Sequence, residues 1–298
     1  MKYSLFLLIF CFIIQVKSQT NYKYENFGNR SILLNGNVTG SVDDLGATYY
    51  NPARLALIED PVFAINAKIY EFIDIKIENY LFDKNDLSSS NFKGLPSMVS
   101  GTFKIKFLKN HQFAYALISR NRYEVDLSFN TGIVDNEFNN ELPEVAKYFA
   151  STNLNYRLRE NWFGLSWAKS ITSNFSLGAS LFASYYNYSA ENKDQFTSIN
   201  DLDQITNHSY KVSFDQKSYG AFLKIGAAWV FKSIEFGINI DLPYLEVYSE
   251  GSFYNEEVLS GSNNEIDIFS LNNLDDINAK RIFPMGISLG AGIPFKKN

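Results

Sequence analysis

The chain has 298 residues, 46% of them hydrophobic and 16% aromatic, with 27 Lys and Arg against 32 Asp and Glu and a net charge of −5. That balance speaks against a nucleic-acid partner, and one cysteine with two histidines leaves too few ligands for a metal site of the His/Cys kind. With 19 Tyr and 26 Phe beside only 17 Gly and 7 Pro, the composition suits either a soluble β-sandwich or an outer-membrane barrel, so periodicity has to decide.

Met1 to Ser18, MKYSLFLLIFCFIIQVKS, opens on a lysine, continues through an apolar run and ends at Val16-Lys17-Ser18, the pattern of a secretory signal peptide. The rival reading, a membrane anchor, needs roughly 20 apolar residues to cross a bilayer, more than this run supplies. Removing residues 1–18 takes Lys2, Lys17 and Cys11 with it, so 25 basic residues face 32 acidic ones and the net charge moves to −7. With Cys11 gone the exported chain has no thiol, so its fold must be held by something other than disulfides.

Residues 19–60 form an N-terminal segment with little periodicity, in which DDLGATYYNPA reads as neither helix nor strand. The remainder, 61–298, reads as strands. In Tyr219 to Phe231 the odd positions Tyr219, Ala221, Leu223, Ile225, Ala227, Trp229 and Phe231 are all apolar, and the even ones include Gly220, Lys224 and Gly226. Tyr219 and Trp229 lie 10 residues apart, which at about 3.3 Å per residue and a tilt near 40° covers roughly 25 Å of membrane normal, the height of a barrel's apolar band. Phe175 to Tyr185 repeats the arrangement, with Leu177, Ala179, Leu181 and Ala183 on one face and Ser176, Gly178, Ser180 and Ser184 on the other. On this pattern an arginine at Ser180 is expected to be tolerated better than one at Leu181 or Leu223.

Eight long strands can be read, at 61–72, 98–107, 112–130, 152–169, 175–189, 208–231, 234–254 and 283–295, and the gaps between them alternate long and short. Long outer loops and short periplasmic turns give that alternation. The strand at 112–130 keeps Phe113, Tyr115, Leu117, Tyr123, Val125 and Leu127 in one phase, whereas the phase slips at Trp162/Phe163 and between Phe214 and Tyr219. Such slips imply a bulge or an extra turn, so ten or twelve shorter strands stay open. The fold class expected is all-β, a transmembrane antiparallel β-barrel in a Gram-negative outer membrane.

Gly40 to Asp44, then Ala47-Thr48-Tyr49-Tyr50-Asn51-Pro52-Ala53, followed by a first strand, resembles the FadL-type outer-membrane transporters for long-chain fatty acids and other hydrophobic compounds. FSLGASLFASYYNY and LKIGAAWVFKSIEFGINIDLPY look like strand-turn-strand units of the same family. The resemblance implies that the N-terminal segment is a hatch inside the barrel, with Tyr49, Tyr50, Asn51, Pro52 and Ala53 as its motif. It implies passive uptake of a hydrophobic small molecule or fatty acid, with outer-membrane lipid as the surroundings and no cofactor. Members of the family build fourteen strands. A closed eight-strand barrel has an interior just wide enough for side chains, so the expectation divides among the first part of a longer barrel, a shortened relative and a small barrel with the segment outside its lumen.

Leu142, Val145 and Phe149 stand at helical spacing in NELPEVAKYFAS. They are expected either to pack as a short helix on the barrel rim or, as the resemblance implies, to gather ligand at the outer mouth. His111 and His208 are the only candidates for a Ser-His-Asp centre, and neither is expected to lie on a spanning wall, so no enzymatic activity is expected. Gly290 and Gly292 have no helix after them and read as small inward-facing residues rather than a phosphate loop. Two rivals to transport remain: a carrier barrel for proteins in type IX-like secretion, and a structural barrel without transport.

Overall fold

A computed structural model describes residues 25–58, 63–81, 85–136, 145–261 and 267–293; the signal-peptide reading and Leu142 lie outside them. Eleven strands form one antiparallel sheet: β1 (Phe63–Leu81), β2 (Asn85–Phe103), β3 (His111–Asn130), β4 (Val134–Asp135), β5 (Lys147–Thr172), β6 (Phe175–Ile199), β7 (Ile205–Phe231), β8 (Ile234–Asp241), β9 (Leu245–Ser260), β10 (Ile268–Ile277) and β11 (Gly286–Gly292). The main path runs β1-β2-β3-β5-β6-β7-β8-β11. β7 carries β8 along its lower half, Lys224 to Phe231, and β9 along its upper half, Asn207 to Ala221. β8 and β9 are thus one chain path interrupted at Leu242-Pro243-Tyr244, and β10 and β11 are a second, so eight long paths carry the sheet. Among the described residues β1 and β11 do not pair, and the sheet is open.

Residues expected in long outer loops are largely strand. β1 and β2 pair from Phe63↔Gly101 to Leu81↔Asn85, across the region read as a loop at 73–97. β6 and β7 pair from Phe175↔Trp229 to Ile199↔Ile205. Charged and hydroxyl side chains populate both faces of the β6 and β7 extensions, so hydropathy alternation fades there although the backbone ladder continues. At the opposite end the connections are tight, at 173–174 and 232–233, with Lys232 at φ 56° in the second.

Inward and outward faces separate cleanly in the lower half. Leu165, Leu181, Ile225, Trp229 and Leu289 are exposed, with Leu181 at 56%, while Ser166, Ser180, Phe222, Lys224, Ala228 and Asn239 on the alternate positions are buried. Of the expected bulge sites, Trp162 and Phe163 are regular and simply face opposite sides, while β7 keeps one register with β6 past Phe214 but shifts against β9 at Tyr219/Gly220. A further shift falls between Ser119 and Asn121, leaving Arg120 as the extra residue of β3. It inverts the phase of that strand. Phe113, Tyr115 and Leu117 face outward, whereas Val125 and Leu127 beyond the bulge are buried inward beside Ile75, Leu154 and Tyr156.

The inward face is covered by residues 25–58, which fold into α1 (Asn29–Leu33), α2 (Ala47–Tyr50) and a 3₁₀ turn (Pro52–Leu57). Phe27, Val38, Val42, Leu45, Tyr49 and Leu55 of this segment share one core with Met98, Ile118, Trp162, Phe182 and Phe222 of the strands. The core of the molecule is therefore the junction between segment and sheet.

Candidate functional site

Within the segment, Asp44 organises the start of α1. Its Oδ2 accepts from the backbone N–H of Arg30 (2.7 Å) and Ser31 (3.0 Å), and its Oδ1 accepts from Ser31 Oγ and the Gly46 N–H. The donors left free at any helix start are thus met by a side chain distant in sequence, and Arg30 is further held by an ion pair to Asp43. Gly28 lies at φ 93°, where a Cβ would run into the Asp44 carboxylate. Tyr50 accepts from the Phe27 N–H (3.0 Å) and donates to Asn26 Oδ1 (3.2 Å), and burial pushes its phenol above the ordinary tyrosine range.

The Asn-Pro-Ala motif is where the segment meets the sheet. Asn51 is fully buried. Its Nδ2 donates to Thr39 O (2.8 Å) and to Ala227 O of β7 (3.2 Å), while Oδ1 accepts from the Ala53 N–H and caps the 3₁₀ turn. Pro52 opens that turn, its fixed φ suited to a first helical position. From β6, Ser176 Oγ donates to Ala53 O and Ser180 Oγ to Thr48 O, both at 2.8 Å. Arg54, 3% exposed, donates to Val42 O and pairs with Glu235 at the foot of β8 (2.8 Å).

Such close approach requires the wall to lack side chains. Gly178 pairs with Gly226 across β6 and β7, and Gly237 with Gly290 across β8 and β11. A Cβ at Gly178 would meet Pro52 C at 2.5 Å, at Gly226 Asn51 Oδ1 at 2.2 Å, at Gly237 Thr39 O at 2.1 Å and at Gly290 Gly40 N at 2.6 Å. These four glycines form a groove for two stretches of the segment, 39–40 and 51–53. Ser180 sits beside it, with no exposed surface and bonds to Thr48 O and Ser166 Oγ. The expected tolerance for arginine there is overturned, because the inward face at Ser180 is packed rather than open.

Above Tyr49 stands a charged, aromatic cluster. Glu160, fully buried, accepts from Arg120 NH1 (2.7 Å), Asn121 Nδ2 (2.7 Å), Trp162 Nε1 (2.8 Å) and Arg281 NH2 (2.9 Å). Arg120 lies 4.8 Å over the Trp162 ring and 4.9 Å over Phe283; Arg281 lies 4.2 Å over Tyr186 and 5.2 Å over Tyr244. Trp162 stacks on Phe222 and approaches Tyr49 at 5.9 Å. Two guanidinium groups share the Glu160 carboxylate, a second carboxylate, Glu246, accepts from the Arg281 backbone N–H at 2.8 Å, and Arg281 NH1 is buried without a hydrogen-bond partner among the described residues. Lys224, paired with Asp241, stands 4.5 Å over the Tyr49 ring. A cleft of about 600 Å³ runs between the segment and β11, lined by Asn26, Thr39, Tyr49 and Tyr50 on one side and Ser288 and Leu289 on the other.

Tyr49, Tyr50, Asn51, Pro52 and Ala53 thus gather at one site. Val145 and Phe149 do not join it: Val145 precedes β5, and Phe149 lies within that strand opposite Thr197. The helix expected there is replaced by strand from Lys147 onward, because Tyr148 turns inward to stack on Phe196 and β6 offers a ladder to pair with. Arg120, Glu160, Trp162 and Arg281 were not anticipated. Their signal was the loss of phase at Trp162 and the charges interrupting an otherwise small inward face. His111 starts β3 and accepts from Trp167, and His208 faces Glu257 on the exposed upper sheet. A scan against family models finds no match, and searches of curated proteins and of solved structures find none either.

Proposed function

We propose that this sheet is wall of an outer-membrane barrel, that residues 25–58 are its hatch, and that the protein passes hydrophobic small molecules such as long-chain fatty acids inward by passive diffusion. The observation that carries the reading is the pairing of opposite faces: an exposed apolar face on one side of the strands and a docked polar and aromatic segment on the other. In water, an apolar face of this extent is an aggregation or interaction surface; in lipid it is the expected exterior. Aromatics bound it, with Phe103, Phe113, Trp167, Phe175 and Trp229 toward the short turns and Tyr185, Tyr219 and Tyr248 at the other limit. Lipid leaves no partner for an unpaired backbone edge, so β1 and β11 must each pair with a further strand at membrane depth. The Arg281 NH1 left without a hydrogen-bond partner beside Tyr186 and Tyr244 suits an amphipathic ligand with a carboxylate head.

The test is uptake of oleate into proteoliposomes together with single-channel conductance, for the intact chain, a deletion of residues 21–49 and Asn51→Ala. Deletion is expected to raise conductance while the strands remain inserted, and Asn51→Ala to give intermittent opening. Identical conductance in all three would reduce the segment to a packing element and remove the transport reading. The protein-carrier alternative is favoured by one feature, the long polar continuation of β5, β6 and β7 beyond Tyr185 and Tyr219. A secreted protein co-purifying with the intact chain, and lost when residues 190–214 are shortened to a tight turn, would select it.

A further inference from the structure

The turn between β2 and β3 carries Lys104, Lys106 and Lys109 interleaved with Ile105, Phe107 and Leu108. The Leu108 N–H donates to Ile105 O at 3.0 Å to close it, and Asn110 at φ 62° returns the chain to β3. Between this turn and the end of the 3₁₀ turn lies a cavity of about 400 Å³, with Ala56 and Ile58 on its apolar side and the three lysines and His111 on its polar side. No acidic side chain among the described residues lines it. Lys104 has an interaction of its own, but Lys106 and Lys109 are exposed and enter no ion pair among the described residues. In a chain of net charge −5, the described lining of this cavity is positive.

His111 also lines the cavity. Trp167 Nε1 donates to His111 Nδ1 at 2.8 Å. An indole nitrogen can only donate, so Nδ1 carries no hydrogen and the neutral ring holds its hydrogen on Nε2. The same end holds the stacked pair Phe103 and Phe113 and, at the tip of the turn, Phe107 at 82% exposure. Aromatic and lysine side chains together mark the level at which lipid headgroups meet the hydrocarbon.

We propose that this cavity binds the phosphate of an anionic phospholipid headgroup, with Lys106 and Lys109 supplying charge and Phe107 an anchor in the headgroup layer. The proposal rests on reading the sheet as a membrane wall, with its short turns at the leaflet that contains phospholipid. A lipid is chosen over a free anion because apolar side chains alternate with the lysines and continue the cavity wall at Ala56 and Ile58, where a solvated ion gains nothing. Basic side chains beside a membrane surface select anionic over zwitterionic lipid by simple electrostatics.

The experiment uses the full chain purified in detergent and native mass spectrometry with short-chain phosphatidylglycerol, phosphatidylcholine or inorganic phosphate added. Phosphatidylglycerol should be retained about fivefold or more over phosphatidylcholine, the factor that corresponds to about one lysine near a charged surface. Lys106→Ser with Lys109→Ser should abolish that preference, and Lys193→Ser with Lys211→Ser on the upper sheet should leave it intact. Equal retention of the two lipids, a preference unmoved by the double substitution, or displacement of the lipid by inorganic phosphate would each overturn the assignment. Insertion into liposomes, read by protease protection of the strands, tests the membrane-wall reading separately: a chain that fails to insert yet keeps the lysine-dependent preference sinks the wall and not the pocket.

Discussion

Residues 175–185 and 186–199 belong to the same strand, β6, and pair with the same neighbours in unbroken register, yet they occupy different surroundings. In the lower stretch exposure alternates strictly: Leu177 and Leu181 are open, Ser176, Ser180 and Phe182 closed. In the upper stretch almost every residue is half-buried on either face. β7 divides in the same way, with Tyr219 at the boundary. One ladder of backbone hydrogen bonds therefore serves two environments. Below the tyrosines the faces are specialised, one covered by the segment at residues 25–58 and the other apolar and exposed; above them cross-strand polar pairs hold the sheet alone. Stability and function should concentrate in the lower half.

Substitutions can break or sharpen that contrast, beginning with the cluster at the boundary. Glu160→Ala would leave Arg120 and Arg281 buried without their shared carboxylate, a loss of about 3 to 5 kcal/mol. The matched change in the upper half, Glu191→Ala, removes the exposed pair with Lys211 and should cost about 0 to 1 kcal/mol. Urea titrations of the refolded protein in detergent, followed by tryptophan fluorescence, check both. Comparable losses would mean that the two halves do not differ.

Next in size is the outward face. Leu181→Arg should destabilise by roughly 2 to 4 kcal/mol if that face lies at the middle of a bilayer, and Ser189→Arg, above the tyrosines, by less than about 0.5 kcal/mol. Refolding into lipid vesicles rather than detergent is the discriminating measurement, since the Leu181→Arg penalty should grow with bilayer insertion. A penalty no larger than that of Ser189→Arg in vesicles would show that the exposed apolar face is not in lipid.

The inward face of the same half gives a third contrast. Gly226→Val must move Asn51 Oδ1, which a Cβ would meet at 2.2 Å, and overpacking of this kind costs about 1 to 3 kcal/mol. Limited proteolysis should cleave residues 25–58 at least as fast in Gly226→Val as in Asn51→Ala, which gives up its bonds to Thr39 O and Ala227 O at about 1 to 3 kcal/mol. Both variants should keep the strand ladder, read by circular dichroism. A segment as protected as in the unchanged chain would mean that the glycine groove does not hold it.

The smallest expected effect on stability concerns the two ends of the sheet. Asp201 lies in the turn at the far end of β6, and Ser233 in the tight turn between β7 and β8. Cysteines placed singly at these sites, in a chain whose one natural cysteine is Cys11, should leave stability unchanged. On intact cells an impermeant maleimide should reach Asp201→Cys and not Ser233→Cys. Labelling of the second would reverse the orientation of the two halves.

How much of this was written in the sequence follows from the same division. Where the two faces meet different neighbours, as in Phe175 to Tyr185 and Tyr219 to Phe231, side-chain chemistry alternates with the backbone pleat. The strands, their boundaries at the tight turns and the sorting of apolar from small residues were therefore legible. The Asn-Pro-Ala motif could be marked through the family resemblance of the residues around it, while the burial of Asn51 is set by the sheet it meets. Further above the tyrosines, both faces carry polar side chains, and no periodicity distinguishes Ala190 to Ile199 from a loop; only pairing with β5 and β7 makes it strand. The bulge at Arg120 also escaped, since one extra residue changes which face every later side chain takes without changing composition. Glu160, Arg120 and Arg281 come from three distant stretches and meet only through the register of β3 against β5 and the return of the chain after β10. The sequence by itself determined where one side of a strand must differ from the other. Tertiary structure alone decided which residues share a face across strands, because that depends on register, and register is a property of pairs of strands rather than of either one.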